Sequence, residues 1–198
     1  IDEVPGALWT RAILSATRVK RCCEGHAAST ECAGPHIARV VVGVDPPGGA
    51  AECGIVVGGR GDDGHLYILA DYSLQGSPDR WAGQLLDAYH AYSADKIVGE
   101  TNYGGDMVEH TVREAALARG VSVNYSNVQA TRGKAVRAEP VAAMFEQGRA
   151  HMVGEHMHLE DELCGWVPGV SVRSPNRMDA MVWAATELGG GMPRVRWL

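Results

Sequence analysis

The chain has 198 residues, of which 45% are hydrophobic and 21% charged, the make-up of one ordinary globular α/β-sized domain rather than a disordered chain. No apolar run approaches the roughly 20 residues of a membrane-spanning helix, and the first residues show no basic-then-apolar leader, so neither a membrane span nor a signal peptide is predicted. A formal net charge of −6 argues against a tight free-standing nucleic-acid binder, which needs Lys and Arg for phosphates, but not against an enzyme whose carboxylates are neutralised by bound cations.

Residues 1–37 read as a lead-in, and residues 38–198 as the folded domain. The absence of an initiator Met suggests a fragment of a longer chain. Trp9 to Val19 has helical spacing. Cys22, Cys23, His26, Cys32 and His36 then crowd into one stretch; a zinc site is the sharp reading, but no C-x-x-C pair supports it, and an irregular connector is the bland one. The odd number of cysteines, five, argues against a disulfide framework and for a reducing cytoplasm.

The core pattern opens with a β-branched run at 39–45 that ends on Asp45 before Pro-Pro-Gly-Gly. Strands at 53–60 and 65–72, joined by a turn around Asp63-Gly64, complete an antiparallel meander. Ser77-Pro78-Asp79 opens a helix, with Trp81, Leu85, Ala88 and Tyr92 at helical spacing. A strand at 96–100 ends on Glu100, a helix at 105–119 closes at Gly120, and 121–125 reads as a strand. A helix at 134–147 is expected to kink or restart at Pro140. A short strand at 151–153 and a short helix at 159–164 follow, with His156 and His158 on a surface loop between them. Ser174-Pro175-Asn176 caps a last helix at 177–188. This order predicts an α/β fold with a central mixed sheet of about five main strands flanked by helices.

Asp45 and Glu100 both end buried strands, and so emerge at the carboxyl edge where open α/β sheets bind ligands. Asp179 lies in the first turn of the last helix beside core-type residues Met178, Val182 and Trp183. Taken singly, a turn-forming Asp, a loop Glu and a helix N-terminal Asp are unremarkable. Converged, they repel one another unless cations intervene, and an oxygen-only set favours hard ions such as Mg²⁺ or Mn²⁺. Two such ions suit phosphodiester hydrolysis. Arg132, Lys134 and Arg137 form a local basic cluster that either meets a DNA backbone or is a solvated helix face. No Gly-x-x-x-x-Gly-Lys-Ser/Thr loop occurs.

The stretches Val-Val-Val-Gly-Val-Asp-Pro-Pro at 40–47, Glu-Cys-Gly-Ile-Val-Val at 52–57 and Ile-Val-Gly-Glu-Thr-Asn-Tyr-Gly-Gly at 97–105 resemble the C-terminal nuclease domain of tailed-bacteriophage large terminase subunits. So do Arg-Gly-Lys-Ala-Val-Arg-Ala-Glu-Pro-Val at 132–141 and Ser-Pro-Asn-Arg-Met-Asp-Ala-Met-Val-Trp-Ala at 174–184. Val-Pro-Gly-Ala-Leu-Trp-Thr at 4–10 is similar to the linker that follows the packaging ATPase domain. The resemblance implies a ribonuclease H-like fold and a DNA endonuclease that cuts concatemeric viral DNA in the host cytoplasm, with two Mg²⁺ or Mn²⁺ ions held by Asp45, Glu100 and Asp179. It places Lys134 and Arg137 near the active site or DNA, and implies the ATPase domain, the small terminase subunit and the portal as partners besides double-stranded DNA. Similar sequences often carry an acid where Ala51 stands here, which leaves Glu52 as a possible auxiliary acid. The alternatives are a Holliday-junction resolvase-like nuclease of the same fold, which would call for a dimer and a more basic surface, and an actin-like nucleotide-binding module.

Overall fold

Along 37–45 the chain alternates the faces it buries, sending Val42 and Val44 into one hydrophobic layer and Val41 into another. That alternation builds the first strand of a two-faced sheet. In the computed structural model of the chain, the described residues are 4–20, 36–46, 52–100, 105–130, 132–172 and 174–189. The elements in order are α1 (Arg11–Ala16), β1 (Ile37–Asp45), β2 (Glu52–Gly61), β3 (Leu66–Asp71), β4 (Leu74–Gln75), α2 (Pro78–Ala91), β5 (Lys96–Glu100), α3 (Gly105–Ala118), β6 (Tyr125–Val128), α4 (Lys134–Glu146), β7 (Ala150–Met152), α5 (Met157–Gly165) and α6 (Asn176–Glu187).

The sheet runs β6-β5-β1-β2-β3-β7, with β4 paired to β2. β1, β2 and β3 form the antiparallel meander, while β5, β6 and β7 join in parallel. β1, β2, β3, β5 and the short β7 lie where the sequence places them, β6 is displaced along the chain, and the short β4 completes a seven-stranded sheet. One face is covered by α2 and α3 and the other by α1, α4, α5 and α6. This is the ribonuclease H-like α/β architecture.

Several local expectations are corrected. The strand expected at 121–125 lies at Tyr125–Val128, because Tyr125 rather than Val121 pairs with Ile97. Helix α4 runs through Pro140 as one element. Ser174 does not cap α6; the Glu162 carboxylate of α5 instead accepts a hydrogen bond from Met178 N at 2.8 Å, so the cap is tertiary. His156 is buried and precedes α5, and His158 lies within that helix, so neither sits on a surface loop. The first helix is shorter than expected, yet Trp9 and Leu14 are fully buried beside α4, α5 and β7, and Val19 bridges to Val153. Of the suggested zinc ligands, Cys22, Cys23, His26 and Cys32 lie outside the described residues; His36 is exposed, with Nδ1 3.1 Å from Asp62 Oδ2.

Candidate active site

Parity along the strands decides where the acids emerge. Val41 and Gly43 face α6, so Asp45, two residues on, ends β1 on the α6 side. Val98 of β5 faces the same way, and so therefore does Glu100. Val44 stands opposite Gly99, which brings Asp45 and Glu100 to adjoining strand ends. α6 supplies the third acid, Asp179, only 1% exposed.

Two glycines let α6 come this close. A side chain at Gly43 would strike the carbonyl oxygen of Ala180, and one at Gly54 that of Asn176. The helix therefore lies directly on the backbones of β1 and β2, and Asp45 is itself in register with Gly54. Every residue from Asn176 to Ala185 is buried, as expected of a helix enclosed on all sides.

Two cations from α4 reach these acids. Lys134 Nζ forms an ion pair with Asp179 Oδ2 and donates to Ser174 Oγ at 2.8 Å. Arg137 Nη1 is 3.9 Å from Glu100 Oε2, and its Nη2 is 3.8 Å from Asp179 Oδ1. The Arg137 guanidinium lies over the Trp183 ring, 4.2 Å from its centroid, a cation–π contact. Its side chain is 12% exposed, against 40% for Lys134. The three residues of the basic cluster thus divide: Arg137 is an interior counter-charge, Lys134 straddles the acids and the solvent, and Arg132 is exposed at the turn before α4.

Asp45 feels both its burial and its charged neighbours. Burial, then repulsion from Asp179 and Glu100, raises its pKa from 3.8 to about 8, although Lys134 and Arg137 pull the other way. A second charged cluster adjoins the first. Arg177 donates through Nε to Glu52 Oε2 at 2.9 Å, closes a second bond to Glu52 Oε1, and pairs with Asp71. Asn176 Nδ2 also donates to the Glu52 carbonyl. Glu52, the suggested auxiliary acid, is engaged by Arg177. Burial raises the Glu162 carboxyl to about 7, against the hydrogen bond from Met178 N. Sequence reading missed Arg177, Asp71 and Glu162; an Arg two residues before the helix acid was the available signal for the first, while Asp71 and Glu162 meet it only through tertiary contacts.

Asp45, Glu100 and Asp179 offer the all-oxygen donors a hard divalent cation takes. As they stand, no three His, Cys, Asp or Glu among the described residues form a ready ligand group. Asp179 is paired with Lys134, an internal cation that a metal ion would have to displace. Burial first, and then the Asp179 carboxylate, hold Asp45 protonated, and an added cation would favour its charged form. The residues therefore fit such an ion in chemistry, with side-chain rotation needed to receive it.

The solved large terminase nuclease of thermophilic phage G20c with bound magnesium superposes with a TM-score of 0.59 at 12% identity, over 93% of this chain and 98% of that one. The HK97 bacteriophage large terminase gives 0.64 at 11% identity over 91% of this chain, which spans 43% of that protein. The yeast mitochondrial Holliday junction resolvase gives 0.53 at 13% identity, over 80% of this chain and 81% of that one. At these identities the likeness establishes the fold. No curated protein matches the chain in sequence. The family model of the terminase RNase H-like domain matches residues 42–188, from β1 to the end of α6, and the chain belongs to that family.

Proposed function

We propose that the chain is a divalent-metal-dependent DNA endonuclease that cuts viral DNA during genome packaging, with Asp45, Glu100 and Asp179 as the residues that hold Mg²⁺ or Mn²⁺. The observation that carries this reading is the convergence of those acids from β1, β5 and α6 on one sheet edge, close enough for Asp179 and Glu100 to add to the effect of burial on Asp45. Membership in the terminase family and the magnesium bound by the phage G20c nuclease support it. In this reading two ions act together, and the partners are double-stranded DNA, a packaging ATPase domain, the small terminase subunit and the portal, in the host cytoplasm.

Bound divalent cations supply Lewis acidity toward a scissile phosphate and lower the pKa of water. The chain's own residues set the stage for that. Asp45 gives up the proton its raised pKa retains near neutrality, so cation uptake releases protons. Arg137, fixed over Trp183, keeps Glu100 and Asp179 compensated from beneath. Lys134, freed from Asp179, is long and exposed enough to turn toward a DNA phosphate, and exposed Arg132 offers a further backbone contact.

The test is plasmid cleavage in Mn²⁺. Asp45→Asn and Asp179→Asn should each reduce cleavage to background with circular dichroism unchanged. Near-normal Mn²⁺-dependent cleavage by either folded variant would overturn the assignment.

A further inference from the structure

Four consecutive residues begin α6, and three of them anchor it. Asn176 donates to the Glu52 backbone carbonyl. Arg177 bridges the Glu52 and Asp71 carboxylates. Met178 donates its N–H to Glu162. The fourth is Asp179. Glu52 opens β2 and Asp71 closes β3, so a single guanidinium ties two strands to the helix at the sheet edge where β1 delivers Asp45. Arg177 and Asp71 side chains are 10% and 8% exposed.

We propose that Arg177 is a positioning residue: its clamp on Glu52 and Asp71 fixes the first turn of α6 on the sheet and so holds Asp179 in place against Asp45 and Glu100. This rests on the reading of those three acids as metal ligands. Stability alone is a weak reason to bury such a cluster, because a buried ion group is often replaceable by apolar residues of similar volume without loss. Geometry is a better reason. The planar guanidinium fork engages two carboxylates in fixed directions, which a single ammonium does not do. A slip of one residue along the helix moves the chain by about 1.5 Å and turns it by about 100°. Such a slip would carry Asp179 away from the strand ends, and the fork resists it. Gly54 adds to the constraint, since the helix backbone touches the sheet at Asn176, one residue before the clamp.

The experiment uses the whole chain and Mn²⁺ as probe. Mn²⁺ affinity is measured by calorimetry, and kcat and KM on duplex DNA at a temperature below every melting point. Arg177→Lys and Asp71→Asn should stay folded, bind Mn²⁺ about 10- to 100-fold more weakly, and lose kcat with KM for DNA unchanged. Excess Mn²⁺ should restore part of the cleavage. A purely structural clamp predicts a lower melting temperature with wild-type Mn²⁺ affinity and wild-type kcat; that result overturns the proposal. Should Arg177→Lys not fold, Glu52→Gln, which spares the Arg177–Asp71 pair, is read in the same way: weaker Mn²⁺ binding supports the clamp, and unchanged binding overturns it. Asp179→Asn separates the two readings. If it binds Mn²⁺ as wild type does, the ligand assignment fails and the proposal with it. If it loses Mn²⁺ while Arg177→Lys keeps it, the clamp alone is refuted.

Discussion

Folded and without added cations, Asp45 holds its proton far above the ordinary carboxylate range, at a pKa of about 8 rather than 3.8, chiefly through burial and secondly through Asp179. In the unfolded chain it would ionise near its ordinary value. The folded state therefore binds more protons than the unfolded state between about pH 4 and 8, and stability falls as pH rises through that window. Glu162, raised to about 7 by burial, acts in the same direction. The metal-free protein should lose about 5 to 10 °C of melting temperature between pH 5 and 8, and Asp45→Asn should flatten that slope. Mn²⁺ should raise the melting temperature more at pH 8 than at pH 5, because fewer protons remain to be displaced. A metal-free melting temperature that is level or rises across this range would contradict the electrostatic account of Asp45.

At the scale of elements, α6 is the part on which the site depends. It touches β1 and β2 through Gly43 and Gly54 without side chains in between. Gly43→Ala sets a methyl group against the Ala180 carbonyl, a backbone atom that cannot rotate away. Overpacking of this kind costs about 1–3 kcal/mol, or roughly 3 to 10 °C in a protein of this size. The same displacement separates Asp179 from Asp45, so Mn²⁺-dependent cleavage should fall even well below the melting point. Thermal melts and cleavage rates on the one variant check both; a melting temperature within 1 °C or so of wild type would show that α6 has room to spare. Gly43 and Gly54 are visible in the sequence and sit inside strands. Periodicity marks a strand and does not say which helix lies on it.

Across the whole molecule, the pattern-borne features were the legible ones. β1, β2, β3 and β5, the helix opened by Ser77 and Pro78, and both strand-end acids follow from alternation, turn residues and caps. Ser77 accepts from Arg80 N as its position predicts. What escaped was tertiary: Glu162 capping α6 from another helix, Arg177 joining two strands, and Trp9 and Leu14 inserted into the main core from a segment that reads as a lead-in. Arg137 shows the same limit. Its charge suggested a DNA backbone or a solvated helix face, and only the fold shows it over Trp183 beside Glu100 and Asp179. The central claim, that Asp45, Glu100 and Asp179 hold the catalytic ions, is tested most directly by anomalous diffraction from Mn²⁺-soaked crystals. The account predicts manganese density between those three carboxylates, with Lys134 moved off Asp179. Crystals that bind manganese elsewhere while the Lys134–Asp179 pair stays intact would contradict it.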